Sequence, residues 1–565
     1  MSFVDRFFPR KLTAITLSLL SLGVFDIKKV YSAESIFFVY SPFIANLRVE
    51  SLEQFALDGT VNQNLGFYLN LARVDEEQTA IFREALTTPI IVDHTLISRI
   101  LNTNEGERLL NYFGSVINVR GGRNGRYVLR GALVKASMEK DGLSLLNVIR
   151  HMSVDIQLNI RQVLQYVRQV NLVIDGSEFF ATEIANLASI EAKSSGNIDF
   201  NQLPDIRQRG SKAVTNTTLN LFDQKRNRRF YVELYQPQQL TPNTPVIIFS
   251  HGLSSRPEDF ASIASHLASY GYVVAMPQHI GSDIKQTEDF LAGFSRQIFI
   301  LEEFIDRPLD VTFLLDELTR LNSSQFGGNL NLNNVGVGGH SFGGYTALAV
   351  AGAKIDFENL EHGCNLAFGN LNNALLLQCR ALNLPRKDYN FRDERVKAVF
   401  TVNAVNATIF GEQGLNNVTI PTFVAAGSYD PATPFVFEQA RTFPHINSSD
   451  TYFQLQEGQA HVDFSQLDAG ITDLVNTVGN LTLPAPYLLE NYTNSMALAF
   501  FQTHLQNDEN YRVYLQSAYG EHLSEGQEFK THIITDKSAP ILDEKFAEFI
   551  QNNYQLIFGT RLLRN

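Results

Sequence analysis

The sequence predicts an α/β fold with a mostly parallel sheet and helices on both faces, preceded by an all-helical N-terminal domain. The sheet is predicted because, from residue 216 onward, short apolar runs typical of strands alternate with segments of helical apolar spacing. One of these runs ends in a Gly-rich turn that continues directly as an Ala- and Leu-rich helix. Before residue 193 the apolar spacing is helical and no strand-rich region is evident, which predicts helices alone.

The composition is that of a folded protein and argues against some partners. The chain has 565 residues, enough for two or three domains, and 44% of them are hydrophobic and 19% charged. The formal net charge of -13 argues against nucleic acid as a partner, and no run of lysine or arginine opposes this interpretation. The sequence implies neither a metal ion nor an organic cofactor.

The N-terminus has the pattern of an export signal. Basic residues precede the apolar run Leu12 to Phe25, which is short for a membrane span but suits the core of a signal peptide. Cleavage after Ser32 or Ala33 is expected, giving a periplasmic or extracellular protein. Charged residues between the run and this point, among them Asp26, are unusual there. An uncleaved membrane anchor is therefore the alternative.

The predicted domains are a signal peptide (1–33), a helical domain (34–192), a linker (193–215) and a catalytic α/β domain (216–565). The linker is predicted where the sequence becomes polar and carries Ser, Gly and Asn. The predicted strands of the α/β domain are Asn216 to Phe222, Arg229 to Tyr235, Pro245 to Ser250, Tyr272 to Met276, Val335 to Gly338, Val396 to Val402, Thr422 to Ala426 and Thr451 to Leu455. Its predicted helices include Glu258 to Ser269, Pro308 to Leu321 and Asn491 to Leu505.

Ser341 is the candidate nucleophile. It stands at the centre of a GxSxG turn between a predicted strand and a predicted helix, which is the context that this motif requires. Gly339 and Gly343 leave room for a tight backbone, so that the serine hydroxyl projects above the sheet.

Asp430 and His461 are the candidate acid and base. Each follows a predicted strand, and reactive groups of an open parallel sheet lie beyond the carboxyl ends of its strands. The chain order Ser, Asp, His is that of α/β-hydrolases. His461 would accept the serine proton, and Asp430 would orient the imidazole and stabilise its protonated form.

Other acids and bases compete for these roles. Asp463 is close to His461 in sequence and His445 precedes a strand, but neither directly follows a strand. His340 is expected to pack beside the turn. His279 follows a strand, where it either lines the mouth of the site or has a structural role.

The negative charge formed during attack on a carbonyl needs hydrogen-bond donors. One is expected from the amide of Phe342, directly after the nucleophile, and the other from Leu253 in the SHGLS segment after a strand. Gly252 would allow this backbone to approach closely.

Two cysteines, Cys364 and Cys379, are too few for a metal site. In an oxidising compartment they are expected to form a disulfide, and the alternative is a pair of buried thiols.

Three motifs carry a family resemblance: SHGL at 250–253, GYVVAMPQH at 271–279 and GHSFGG at 339–344. They resemble α/β-hydrolases of the platelet-activating-factor acetylhydrolase and dienelactone hydrolase type, over about residues 216–506. The segment SPFIANLRVESLEQFALDGTVNQNLGFYLNL is similar to DUF1400, a domain that precedes such hydrolases in bacteria. The resemblance implies a carboxylic ester hydrolase with the triad Ser341, Asp430 and His461 and the oxyanion donors Leu253 and Phe342.

The sequence departs from the secreted acetylhydrolases at Asn403. These enzymes carry the acid after the strand that follows the nucleophile helix, where this chain has an amide. The acid is therefore expected at Asp430, which is the dienelactone hydrolase-like position.

The sequence predicts a serine hydrolase acting on small-molecule or lipid esters, and lipid substrates would bring it into peripheral contact with membranes. The alternatives are an acyl transferase or peptidase with the same triad, and a non-catalytic binding protein on a hydrolase scaffold.

Overall fold

The computed structural model describes residues 32–40, 43–140, 142–365, 372–461 and 484–553. The apolar run of the predicted signal peptide lies outside the described residues. Within the described part of the chain, no helix is both long and apolar enough to span a bilayer.

The N-terminal part contains a sheet, so the prediction of an all-helical domain is wrong. The strands are β1 (Ser35–Tyr40), β2 (Phe43–Arg48), β3 (Ile117–Val119), β4 (Arg123–Asn124) and β5 (Ile156–Asn159). Their spatial order is β2-β1-β5-β3-β4. β3, β4 and β5 are two to four residues long, too short to show alternation. β1 and β2 are six residues long, but a short apolar run cannot be assigned to a strand rather than a helix by periodicity alone, and β1 pairs with β5 across a long sequence separation. Periodicity within a short window therefore could not reveal them.

Between these strands the described N-terminal part is helical, as the sequence predicts. Many helices begin at a side chain that satisfies the free amides of the first turn, as Asp75 does in a capping box with Gln78. They are α1 (Val49–Asp58), α2 (Gln63–Ala72), α3 (Glu76–Thr87), α4 (His94–Leu101), α5 (Asn104–Val116), α6 (Arg126–Ala136), α7 (Leu145–Arg150) and α8 (Ile160–Ser194).

Helix α8 connects the two parts of the chain. Its C-terminal half buries Phe180, Ile184 and Leu187 in the core of the C-terminal part. The ring of Phe180 stacks on that of Phe546, with 3.8 Å between their centres. The α/β part thus uses a helix that the sequence analysis assigns to the N-terminal domain.

From residue 214 onward the described residues form one nine-stranded, mostly parallel sheet. Its strands are β6 (Val214–Asp223), β7 (Arg228–Pro237), β8 (Thr244–Ser250), β9 (Val273–Pro277), β10 (Leu330–His340), β11 (Val396–Val402), β12 (Thr422–Gly427), β13 (Thr451–Gln456) and β14 (Thr531–Thr535). Their order is β14-β13-β12-β11-β10-β8-β9-β7-β6. Strands β8 to β13 are parallel, while the β6–β7 hairpin and β14 form antiparallel edges. All strands of this sheet except β14 correspond to strands predicted from the sequence.

Helices cover both faces of this sheet. Leu314 and Leu348 pack on one face, and Leu267 and Phe501 pack on the other. The helices are α9 (Ala261–Ser269), α10 (Ile284–Ala292), α11 (Glu303–Gln325), α12 (Phe342–Ala351), α13 (Phe357–Asn365), α14 (Ala374–Gln378), α15 (Ala407–Leu415), α16 (Gln439–Thr442), α17 (Pro486–Leu505), α18 (Ser517–Leu523) and α19 (Ala539–Asn552).

A disulfide joins Cys364, at the end of α13, to Cys379, directly after α14. The residues next to it contact the N-terminal part of the chain. Arg380 forms an ion pair with Glu105 of α5 at 2.7 Å, and both side chains are largely buried.

Candidate active site

The site lies where the strand order of the sheet reverses. After β8 the chain moves to β9 on one side, and it then returns to β10 on the other side of β8. Gly339 of β10 pairs with Ser250 of β8, so the loops that follow these two strands lie side by side. Such a reversal leaves a crevice at the carboxyl ends of parallel strands.

Ser341 has a strained backbone in this crevice. Its φ of 57° and ψ of -118° are unfavourable for a residue with a side chain. The two glycines of the motif permit the turn. A Cβ atom at Gly339 would lie 2.2 Å from the carbonyl oxygen of Gly343, and one at Gly343 would lie 1.9 Å from that of Ser250.

The structure brings Ser341, His461 and Asp430 together in one chain of hydrogen bonds. The Nε2 atom of His461 lies 2.8 Å from Ser341 Oγ, and its Nδ1 atom lies 2.7 Å from Asp430 Oδ2. Because a carboxylate only accepts, Nδ1 carries the proton and Nε2 is left to accept from the serine. This is the tautomer that a general base needs.

Asp430 is nearly fully buried and is held by its own loop. Burial alone would raise its pKa, but the charge of His461 and hydrogen bonds from His461 and Thr433 outweigh it, so the pKa of Asp430 lies below its usual value. Its Oδ1 atom accepts from the backbone amides of Ala432 and Thr433 at 2.8 and 2.9 Å. The carboxylate is therefore ionised and fixed in orientation.

Asn403, at the end of β11, holds the loops of the acid and the base together. Its Oδ1 atom accepts from the amide of Gly427 at 2.8 Å, and its Nδ2 atom donates to the carbonyl oxygen of Ala460 at 3.3 Å. Ala460 directly precedes His461. In the sequence alone, Asn403 stands out only as a departure from a family pattern. Its position after a strand and its short polar side chain are the signals that could have identified it.

The two other histidines considered near the site, His279 and His340, have different hydrogen-bond partners. His279 is fully buried, with Nε2 2.8 Å from Ser250 Oγ and Nδ1 3.0 Å from Asp310 Oδ2, so it does not line the mouth. His340 packs against His461 and donates from Nε2 to its carbonyl oxygen at 2.7 Å. Burial lowers the pKa of His340 to about 3, which leaves it neutral.

Of the two remaining competitors, the structure describes only His445. His445 lies in a 3₁₀ turn before β13, at the amino end of that strand. Asp463 lies outside the described residues.

The two predicted oxyanion donors lie on neighbouring loops. Phe342 begins helix α12, where the first amides have no partner within the helix. In the described part of the chain neither its amide nor that of Leu253 donates to another protein group. Gly252 brings the second loop close, because a Cβ atom there would lie 3.2 Å from Ser341 Cβ. Both amides are therefore free to receive an oxyanion.

Comparisons with protein families agree with this architecture. The model for DUF1400, described as an alpha/beta hydrolase of unknown function, matches residues 32–159, and the chlorophyllase model matches residues 203–369. The chain is an α/β-hydrolase with an N-terminal DUF1400 region. No curated protein matches it significantly.

The matches do not cover the whole site of this α/β-hydrolase. The chlorophyllase model spans Leu253, Ser341 and Phe342 but ends before Asp430 and His461. Asp430 and His461 are linked to the matched region by the hydrogen bond between His461 Nε2 and Ser341 Oγ. The DUF1400 match covers the N-terminal sheet and ends where α8 begins.

Proposed function

We propose that this α/β-hydrolase cleaves carboxylic esters through an acyl-serine intermediate. The observation that supports this most strongly is the unbroken hydrogen-bonded chain from Ser341 through His461 to Asp430. Nucleophile, base and orienting acid within hydrogen-bond reach of one another are the arrangement that activates a serine.

Each group has one task in this reaction. His461 accepts the proton of Ser341 at Nε2 while Oγ attacks the ester carbonyl, and it then gives that proton to the departing alcohol. The amides of Leu253 and Phe342 stabilise the negative charge on the carbonyl oxygen, and each such donor contributes about 2.7 to 4 kcal/mol. Water activated by His461 then hydrolyses the acyl-serine.

The proposed substrate is a small-molecule or lipid ester, met outside the cytoplasm after export. A lipid substrate would place the enzyme at a membrane surface. Neither a nucleic acid nor a cofactor takes part in this proposal.

A fluorophosphonate probe and p-nitrophenyl esters of increasing chain length test the proposal. The wild type should be labelled and should release p-nitrophenol, and Ser341→Ala should abolish labelling and lower turnover on the order of 10⁶-fold. Ser324→Ala, a change near the end of α11, is the control and should behave as the wild type. An unlabelled wild type without turnover would instead support a binding protein. Labelling with acyl transfer only to an added alcohol would support an acyl transferase, and labelling with cleavage only of peptides would support a peptidase.

A further inference from the structure

A fully buried arginine lies between the two loops that carry the proposed oxyanion donors. Arg307, on α11, donates from Nη1 to the carbonyl oxygen of His251 at 2.7 Å and from Nη2 to that of Gly252 at 3.2 Å. Its guanidinium carbon lies 4.4 Å from the centre of the Phe342 ring. One side chain therefore holds the backbone next to Leu253 and packs on the ring of Phe342.

The contacts of Arg307 with the backbone fix the direction of the Leu253 N–H. The carbonyl of Gly252 and the N–H of Leu253 belong to the same peptide unit, and in a trans peptide the two groups point in opposite directions. A carbonyl held by Arg307 therefore turns the Leu253 N–H away from the guanidinium. Ser341 lies close to Gly252, so an amide directed away from Arg307 can be used by an ester bound at the serine.

Buried carboxylates allow the guanidinium of Arg307 to stay charged in this buried position. Burial lowers the pKa of Arg307 to about 10, while Glu303 and Asp310 oppose the shift, so the guanidinium stays charged at neutral pH. Ser282 accepts from Arg307 Nε at 2.8 Å and donates to Glu303 at 2.7 Å. Arg228 binds the same carboxylates, at 2.8 Å from Glu303 and 2.9 Å from Asp310. Among the described residues, however, it has no hydrogen bond to the loop of His251 and Gly252.

We infer that Arg307 is a positioning residue that directs the Leu253 amide of the proposed oxyanion hole. A buried ionic network adds little net stability compared with apolar side chains of similar size. The consequence of this network is the fixed position of one guanidinium against two backbone carbonyls. The inference rests on the proposed ester hydrolysis, and Arg307 touches no reacting atom.

Arg307→Lys and Arg228→Lys form a matched pair for the test. Both keep the charge within the same buried network, but only the first removes the paired donors to the loop. For Arg307→Lys, kcat with a p-nitrophenyl ester should fall about 10- to 100-fold, less than for complete removal of a donor, with KM within about twofold. Affinity for a trifluoromethyl ketone, which forms an oxyanion on the serine, should fall by the same factor. Arg228→Lys should change kcat and inhibitor affinity by less than about threefold.

Thermal unfolding of both variants separates positioning from stability. An Arg307→Lys enzyme that keeps wild-type kcat and inhibitor affinity overturns the inference. Equal losses of kcat in both variants, in step with equal losses of stability, overturn it as well. If Arg307→Lys does not fold, Ser282→Ala decides, because it keeps the guanidinium but removes the acceptor of Arg307 Nε, together with the hydroxyl that donates to Glu303. It should lower kcat and inhibitor affinity together about 3- to 10-fold, since one hydrogen bond is weaker than a whole donor pair, and unchanged values count against positioning. A wild type that turns over no ester refutes the proposed function itself, and the inference with it.

Discussion

The Oδ2 atom of Asp430 lies 2.7 Å from Nδ1 of His461 and accepts a second hydrogen bond, also of 2.7 Å, from Thr433 Oγ1. The carboxylate thus has its own supports and does not depend on the histidine for its orientation. His461, in contrast, depends on the carboxylate for its tautomer. Loss of the negative charge should therefore affect catalysis more than folding.

Asp430→Asn should lower kcat on the order of 10⁴-fold, because an amide at this position can donate to Nδ1 and favour the wrong tautomer of His461. Ester hydrolysis by the purified variant, with circular dichroism to check its fold, measures this effect. Asp463→Asn is the comparison and should leave kcat near the wild-type value. If the large loss appears in Asp463→Asn instead, the acid has been assigned to the wrong residue.

The pH dependence of stability should also report the lowered pKa of Asp430. The pKa of a free aspartate is about 3.9, and that of Asp430 in the folded protein lies below the usual value. The ionised carboxylate therefore stabilises the fold above the unfolded pKa, and this contribution is lost as the pH falls through the folded pKa. The difference in thermal unfolding midpoint between wild type and Asp430→Asn should be constant from about pH 7 to pH 5 and shrink below about pH 4. Asp388→Asn removes an exposed carboxylate as a control. A difference that grows on acidification would contradict the lowered pKa.

Asn403→Ala should weaken both the acid loop and the base loop. It leaves the Gly427 amide and the Ala460 carbonyl without their buried partner, at a cost of about 1–3 kcal/mol in the free energy of unfolding. Because the loops carry Asp430 and His461, kcat should fall as well. Denaturant unfolding and ester hydrolysis report the two effects. Asn416→Ala, at an exposed position whose side chain has no described hydrogen bond, should change stability by less than about 0.5 kcal/mol.

Gly343→Ala should destroy the nucleophile turn. The added methyl group would meet the carbonyl oxygen of Ser250 at 1.9 Å, and neither backbone can withdraw from the packed sheet. Fluorophosphonate labelling should be lost even in the fraction that folds. In Gly131→Ala the methyl group meets no atom within 4 Å on an exposed position of α6, so this variant should be stabilised by about 0.5–1 kcal/mol.

Truncation of the chain before α8 should be tolerated better than truncation after it. A chain that begins at residue 160 loses Glu105, the partner of Arg380, but keeps the buried face of α8. A chain that begins at residue 196 also exposes the core around Phe180, Ile184 and Leu187. We expect thermal stability and soluble yield to fall in the order full length, 160 start, 196 start. Equal stability of the two truncated chains would show that α8 is dispensable for the α/β part.

Local patterns predicted most of the large sheet. Buried runs such as Thr422–Gly427 and Val396–Val402 are visible as strands because most of their residues are apolar. The small N-terminal sheet escaped prediction because β3 and β5 are three or four residues long and pair over a long separation. Strand β14, with the sequence THIIT, escaped because its short run sits among helices at the edge of the sheet.

Some features of the candidate site could likewise be predicted from the sequence, and others could not. The turn around Ser341 could be predicted because Gly339 and Gly343 are a steric requirement within five residues. The order of Ser341, Asp430 and His461 could be predicted because parallel strands carry their following loops to one edge. The contacts of Asn403 and Arg307 could not, although Asn403 follows a strand, because their partners lie in loops after other strands and no spacing in the sequence records such contacts.

By itself, the sequence determined the strand–turn–helix around Ser341 and the alternation that builds a parallel sheet, because local sterics and apolar periodicity are properties of short segments. Only the tertiary structure decided that the N-terminal part has a sheet, that α8 completes the core of the α/β part, and that His279 is buried. These outcomes depend on contacts between residues far apart in the chain, and such contacts exist only after the whole chain has packed.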